Sequence, residues 1–140
     1  MIGRIKKVGA ELLFTGIMDG NIHEVIAMLD AGEVDVNSQN HNGQTPLHIA
    51  VEDGTQDMIK TLLKYGANPN IQDSLETGLN NPMHLAVSKN MVTTLEMFLD
   101  LEEPNAPDLE MKNSNGFTVL HIAAVKGYAD ICRILLETGK

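Results

Sequence analysis

Aromatic residues and cysteine are scarce in this chain of 140 residues. Phe, Tyr and Trp make up 4% of it, Trp is absent, and Cys132 is the single cysteine. Apolar residues still amount to 43%, so a core is expected, built mainly from closely packed aliphatic side chains. One cysteine excludes an internal disulfide and favours a reducing compartment. We therefore expect one domain over residues 1–140 and a cytoplasmic or nuclear location.

Long apolar runs are also missing. Gly9, Glu11 and Gly16 interrupt the basic N-terminal stretch, which therefore lacks the apolar core of a signal peptide. No segment approaches the roughly 20 apolar residues that a membrane-spanning helix needs. The sequence predicts no membrane partner.

Cationic side chains are absent from much of the first half of the chain. Residues 8 to 59 include nine Asp or Glu and no Lys or Arg, and the net charge of the chain is −9. Such a surface repels phosphate backbones, so no binding to nucleic acid is expected. It would attract a basic segment of a protein partner, although acidity that only maintains solubility explains the charge nearly as well.

A phrase that contains histidine occurs three times. His48 lies in GQTPLHIA, His84 in NPMHLAV and His121 in TVLHIAAVKG, at spacings of 36 and 37 residues. A helix-breaking residue follows each histidine, at Gly54, Asn90 and Gly127, and apolar positions with helical spacing come next. Each unit is predicted to form a short helix, a tight turn, a second helix and a loop. Because such short helices are unstable alone, neighbouring units are expected to stack.

The three histidines could be metal ligands, general bases or parts of a helix cap. Thr45 is a preferred N-cap residue and Pro46 a preferred first helical residue, which places His48 where a side chain can reach back to the cap. Helices packed side by side lie about 8–10 Å apart, whereas zinc binds nitrogen at about 2 Å. No local metal-binding spacing occurs either. The sequence therefore predicts structural caps, and no metal or cofactor.

The repeated phrase resembles the ankyrin repeat, whose pattern is G-x-T-P-L-H-x-A-A-x-x-G followed by a helix that ends L-L-x-x-G-A-x-x-N. The second repeat matches at Gly43, Thr45, Pro46, Leu47, His48, Ala50, Gly54, Leu62, Leu63, Gly66, Ala67 and Asn70. The fourth repeat matches at Gly116, Thr118, Leu120, His121, Ala123, Ala124, Gly127, Leu135, Leu136 and Gly139. Nearly the whole chain is covered, although the first repeat is degenerate and has Phe14 in place of the histidine.

The resemblance implies an all-α solenoid of stacked helix-turn-helix units joined by β-hairpin-like finger loops. The expected repeats span approximately residues 8–39, 40–72, 73–112 and 113–140. Extra length is expected in the finger at residues 74–81 and in a Pro-bearing acidic loop at residues 100–110. The apolar side chains of the fourth repeat indicate a longer array or an edge that a partner covers. The chain is accordingly expected to be a monomer or to associate edge to edge through that repeat.

The resemblance also implies a protein that binds other proteins and has no catalytic centre. The sequence supports this independently, because it has no glycine-rich phosphate loop and no GxSxG motif, and Cys132 lies on the apolar side of a predicted helix. We therefore predict an adaptor or inhibitor and no enzyme. Stand-alone arrays of this length are similar to cyclin-dependent-kinase inhibitors and to NF-kappa-B inhibitors, and these residues assign the chain to neither. The alternative is the cytosolic array of a larger protein, such as an ion channel or a multidomain enzyme.

The family's contact positions, carried onto this sequence, give the candidate partner-binding residues. They are Asp19, His41, Asn42, Gln44, Glu52, Asp53, Leu75, Leu79, Ser88, Lys89, Asn115, Phe117, Val125 and Lys126, with Met18 and Ser114 beside them. Phe117 is the most specific of these, because no structural requirement explains an aromatic residue between a turn glycine and a helix cap. Acidic candidates lie in the first two repeats and the two lysines in the last two. We expect a partner segment to lie lengthwise, with its basic end toward the first two repeats.

Overall fold

The computed structural model describes residues 2–53 and 55–138 of the chain, with the side chains of residues 2–8 left out. Within these ranges the backbone forms eight α-helices, one 3-10 helix at Leu75–Thr77, and no β-strand. The helices are α1 Ile2–Met18, α2 Ile22–Asp30, α3 Pro46–Asp53, α4 Gln56–Lys64, α5 Pro82–Ser88, α6 Val92–Leu99, α7 Val119–Lys126 and α8 Ala129–Thr138. The predicted all-α class, with its paired helices, is confirmed. Gly54 and Gly139, named in the repeat pattern, lie outside the described residues.

The turn within each later helix pair depends on a left-handed backbone residue. Asn90 has a φ of 57° between α5 and α6, and Gly127 has a φ of 73° between α7 and α8. Asparagine tolerates this conformation better than other residues with a side chain, which explains how it replaces glycine here. These two of the three helix breaks predicted from the sequence are confirmed, and the third, at Gly54, lies outside the described residues.

The chain divides into two compact units, an N-terminal unit of residues 1–68 and a C-terminal unit of residues 69–140. In the N-terminal unit α1 packs on α3, and α2 packs on α4. Leu13, Val25, Leu47, Ile59 and Leu62 are fully buried there. The aliphatic core expected from the composition is thus present. The expectation of a single domain and the approximate repeat limits stay predictions.

The first helix includes the N-terminal basic stretch. α1 begins at Ile2, and the expected start of the first repeat near residue 8 stays a prediction. The basic stretch is rich in Ile, Lys and Arg, of which Lys and Arg are among the better helix formers, so the helix continues through it. Gly9 does not interrupt the helix, because a glycine in a helix costs only about 1 kcal/mol.

Side-chain hydrogen bonds of Asn37 and Tyr65 connect distant segments of the N-terminal unit. The Asn37 side chain donates to the Gly66 carbonyl at 3.2 Å and accepts from the Asn68 backbone N–H at 2.8 Å. The Tyr65 hydroxyl donates to the Asp30 carboxylate. This hydrogen bond to Asp30 raises the pKa of Tyr65, because the neutral phenol is the form that donates.

In the C-terminal unit α5 packs on α7, and α6 packs on α8. Met83, Val87, Leu95, Phe98 and Ile131 are fully buried between them. The loop predicted at residues 100–110 follows α6 directly. Asn70 holds this loop through two hydrogen bonds: its side chain donates to the Ala106 carbonyl at 2.9 Å and accepts from the Asp108 N–H at 2.7 Å.

Candidate functional site

Each of the three repeated histidines caps the start of a helix, as predicted. The Thr45 backbone N–H donates to Nδ1 of His48 at 2.9 Å, and the His48 N–H lies 3.4 Å from the Thr45 hydroxyl oxygen. Asn81 with His84, and Thr118 with His121, form the same reciprocal capping box. Across the described part of the chain no group of His, Cys, Asp or Glu has a metal-binding arrangement.

His84 makes a further contact beyond its own helix. Its Nδ1 accepts from the Asn81 N–H, so the proton of the neutral ring is on Nε2. Nε2 lies 3.1 Å from the carbonyl oxygens of both Met111 and Phe117, and its N–H donates to them. Burial lowers the pKa of His84, although the two carbonyls act in the opposite direction. The imidazole is therefore a neutral donor that connects α5 to the turn before α7.

That turn is organised by Asn113. Its side-chain oxygen accepts from the N–H groups of Asn115 at 3.0 Å and Phe117 at 3.1 Å, and its own N–H donates to the Phe117 carbonyl at 3.0 Å. The Asn113 amide donates to the Asn80 side chain at 3.2 Å, and the Ser114 N–H donates to the Gly78 carbonyl at 2.9 Å. The neighbouring finger loops of this unit are thereby held together.

The finger at residues 40–44 is built in the same way. The Asn40 side-chain oxygen accepts from the N–H groups of Asn42 at 2.9 Å and Gln44 at 3.0 Å, and the Asn40 N–H donates to the Gln44 carbonyl at 2.9 Å. His41 at the tip is exposed. Asn42 and Gln44, predicted as partner contacts, are thus engaged in shaping the turn. An asparagine eight residues before the histidine is a sequence signal for these fingers that the motif analysis did not use.

A cleft of about 240 Å³ opens between α5, α7 and the turn at residues 113–117. Its lining residues are Asn80, His84, Leu85, Ser88, Asn113, Asn115, Phe117, Ile122, Val125 and Lys126. Five of the predicted contact residues converge here: Ser88, Asn115, Phe117, Val125 and Lys126. Asn80, Leu85, Asn113 and Ile122 were not predicted from the sequence, and His84 was predicted only as a helix cap.

The cleft combines exposed apolar side chains with unused polar groups. Phe117 is 36% exposed although large and apolar, and its ring stacks on His121 with centroids 6.1 Å apart. Val125 is 74% exposed. The side chains of Ser88, Asn115 and Lys126 make no hydrogen bond or ion pair with any other residue that the structure describes. Apolar anchors beside unsatisfied polar groups are typical of binding surfaces.

The other predicted contact residues do not line the cleft. In the N-terminal unit Asp19 lies in the turn after α1, and Glu52 and Asp53 end α3; all three are exposed, as is Met18. In the C-terminal unit Lys89 is exposed at the end of α5.

The extended finger at residues 74–81 carries the two predicted leucines. Leu75 is 72% exposed within the 3-10 helix, so it packs little against other side chains. Leu79 is half-buried and has a φ of 52°, a left-handed conformation that is unusual for leucine. Both stay predictions as partner contacts.

Among the described residues, none of the helices has both the length and the apolar character required to cross a membrane.

Comparison with known proteins gives a family match over both parts of the chain. The model described as ankyrin repeats (3 copies) matches residues 3–73 and 74–140. The B-cell lymphoma 3 protein homolog of Mus musculus is 30% identical over 142 residues, which cover 99% of this chain and 31% of that protein. NF-kappa-B inhibitor alpha of Rattus norvegicus is 32% identical over 118 residues, which cover 83% of this chain and 37% of that protein.

A third relative has an enzyme's name. The probable E3 ubiquitin-protein ligase XBOS32 of Oryza sativa subsp. japonica is 27% identical over 143 residues, which cover 84% of this chain and 28% of that protein. The chain therefore spans about a third of the length of these curated relatives.

Proposed function

Because the chain belongs to the ankyrin-repeat family, we propose that it is a non-enzymatic module that binds a protein partner through its finger loops and first helices. The observation that carries this proposal is the cleft of the C-terminal unit, in which the exposed ring of Phe117 lies beside Ser88, Asn115 and Lys126, whose side chains have no partner among the described residues. Aromatic side chains dominate the energy of many protein interfaces, whereas hydrated turn residues contribute little.

The size of the cleft favours a protein ligand over a small molecule. At about 240 Å³ it is smaller than the ~300–1,000 Å³ of most small-molecule sites. Such a volume accommodates one or two side chains of a larger partner, and the surrounding surface of the unit supplies the remaining contact. No cofactor is invoked.

The more specific proposal is that the chain masks its partner, as an inhibitor does. It rests on the similarity to NF-kappa-B inhibitor alpha, whose name states that it inhibits NF-kappa-B. NF-kappa-B is therefore the first partner to test, in the cytoplasm or the nucleus. On the N-terminal unit Asp19 and Asp53 are exposed carboxylates, which suit a basic segment of that partner.

The proposal is tested by capture from a cell extract and by direct binding to purified NF-kappa-B. The intact chain is compared with Phe117→Ala and with Leu12→Ala, since Leu12 is 51% exposed on α1 of the N-terminal unit and does not line the cleft. We expect to recover a protein that binds both the intact chain and Leu12→Ala and that Phe117→Ala no longer binds. Recovery of the same proteins in equal amounts by all three would contradict binding through the cleft.

A second candidate is that the chain is the binding array of a larger protein. The partial coverage of the relatives, one of which is named as a ligase, favours this candidate. Sequencing the transcript on both sides of these codons decides between the two, because an open frame that encodes a further domain supports the second. The cleft would bind a protein in either case.

A further inference from the structure

We propose that the cleft of the C-terminal unit recognises an extended peptide segment of the partner that carries an apolar side chain next to a carboxylate. The inference rests on the proposed function and makes it more specific, because it states the chemistry of the segment. The carboxylate would pair with Lys126, and the apolar side chain would lie between Phe117 and Val125.

Four apolar side chains line the cleft. Leu85 is half-buried and Ile122 is only 7% exposed, whereas Phe117 and Val125 are exposed to solvent. Large apolar side chains left exposed in one place are the usual mark of an interaction site. The exposed edge of an aromatic ring next to a β-branched residue favours an aliphatic or aromatic side chain from the partner.

Lys126 gives the cleft a positive charge. The chain has 19 acidic residues and 10 Lys or Arg, yet among the residues that the structure describes no Asp or Glu lines the cleft, and Lys126 is the one Lys or Arg that does. Lys126 forms no ion pair within the described part of the chain, so its ammonium group can donate to a partner carboxylate without losing an internal contact. A cation beside an apolar surface binds a carboxylate through a charge-assisted hydrogen bond.

The remaining polar groups of the cleft suit a peptide backbone. Asn80 and Asn113 bond to each other, and the Nε2–H of His84 is used by two carbonyls. The Ser88 hydroxyl and the Asn115 amide, which are not used within the described residues, can each donate to or accept from main-chain groups. An extended segment would supply such groups at regular intervals.

Basic segments and phosphorylated segments fit the cleft less well than an acidic apolar segment does. A basic segment would be repelled by Lys126. A phosphorylated segment is normally bound by clusters of arginine, and no arginine with a described side chain lines the cleft. The acidic apolar segment is thus the occupant that the lining residues favour.

The inference is tested with a phage library of random decapeptides selected on the immobilised full chain. We expect enriched peptides to place Leu, Ile, Met or Phe within two residues of Asp or Glu. Binding of an enriched synthetic peptide is then measured by fluorescence anisotropy for four proteins: the intact chain, Lys126→Glu, Phe117→Ala and Lys60→Glu. Lys60 is exposed on α4 of the N-terminal unit, so Lys60→Glu makes the same charge change away from the cleft.

We expect Lys126→Glu and Phe117→Ala each to weaken binding about tenfold or more, the range for loss of a charge-assisted hydrogen bond or an aromatic anchor. Lys60→Glu is expected to change binding by less than about twofold, because exposed charges outside an interface contribute little. Selection on Lys126→Glu should enrich Lys or Arg in place of Asp or Glu. Circular dichroism of each variant verifies the fold before binding is interpreted.

The outcomes separate the two proposals. Enriched peptides without acidic residues, or affinity unchanged by Lys126→Glu, would overturn the acidic apolar segment; if Phe117→Ala still abolished binding, the proposed function would stand. Failure to enrich any peptide would also overturn the inference, and capture of a folded partner would then decide the proposed function separately.

Discussion

Nε2 of His84 lies 3.1 Å from the carbonyl oxygen of Phe117, so the histidine that caps α5 also holds the turn that presents the exposed ring of the cleft. The same imidazole accepts from the Asn81 N–H through Nδ1. One neutral side chain therefore satisfies a helix start and a neighbouring loop at once. His84 therefore has a structural role, and the cleft depends on it indirectly because it positions the turn that carries Phe117.

Substitution of His84 by alanine is expected to lower the free energy of unfolding by about 2–4 kcal/mol. Loss of the cap accounts for about 1 kcal/mol. Loss of the two hydrogen bonds to the Met111 and Phe117 carbonyls accounts for about 1–3 kcal/mol more, although the Phe117 carbonyl keeps the Asn113 N–H as a donor. Urea denaturation of the full chain measures the change. His121→Ala is the matched control, since His121 forms the same capping box on an exposed ring; it should cost only about 1 kcal/mol. Equal losses in the two variants would contradict the role of the carbonyl contacts.

Acidification is expected to lower the free energy of unfolding of the chain, because His84 becomes protonated. Burial lowers the pKa of this group from its ordinary 6.5, so on acidification the unfolded chain takes up a proton before the folded chain does. The stability due to the neutral ring is complete above the unfolded pKa and is lost as pH falls through that value toward the folded pKa.

Unfolding free energies between about pH 7 and about pH 5 test this expectation. The decrease should be smaller in His84→Gln than in the intact chain. Leu136→Gln, which places glutamine on an exposed face, should keep the full decrease. An identical pH profile for His84→Gln and the intact chain would assign the acid sensitivity to other groups.

Phe117→Ala is expected to weaken partner binding by about 30-fold or more while the free energy of unfolding changes by less than about 1 kcal/mol. The binding loss corresponds to the roughly 2 kcal/mol of an interface hot spot. The small effect on stability follows from the partial exposure of the ring, which stacks on His121 alone among described aromatic and imidazole rings. Titration calorimetry with the captured partner, together with thermal melting, measures both quantities. A large drop in melting temperature would show that Phe117 serves the fold.

Asn90→Ala is expected to lower the free energy of unfolding by about 1 kcal/mol or more, because alanine resists the left-handed backbone found at this position. Asn90→Gly is the matched control and should be close to neutral, since glycine adopts that conformation freely. Differential scanning calorimetry of the two variants gives the comparison. If both variants lowered the melting temperature equally, the stabilising effect of Asn90 would come from its side chain and not from its φ of 57°.

Much of the local structure could be predicted from the sequence. The caps at Thr45, Asn81 and Thr118 join residues three positions apart, and the break at Asn90 depends on one residue's own backbone. Interactions of this range are encoded by neighbouring residues, so motif and spacing are sufficient to identify them. The start of α1 was not predicted, because no cap or breaker marks a boundary in its first residues.

The cleft depended on contacts that no local pattern contains. Asn113 reaches Asn80 across 33 positions, and His84 reaches the Met111 and Phe117 carbonyls across 27 and 33. The resemblance to a repeat placed Ser88, Asn115, Phe117, Val125 and Lys126 at contact positions. Whether they share a surface, and whether Lys126 lacks an internal carboxylate, followed from how α5 and α7 pack.

The sequence by itself determined the helices and their caps, because these are interactions of near neighbours. Only the tertiary structure decided which side chains were left free to bind, because that depends on which hydrogen bonds and ion pairs distant residues already form with them.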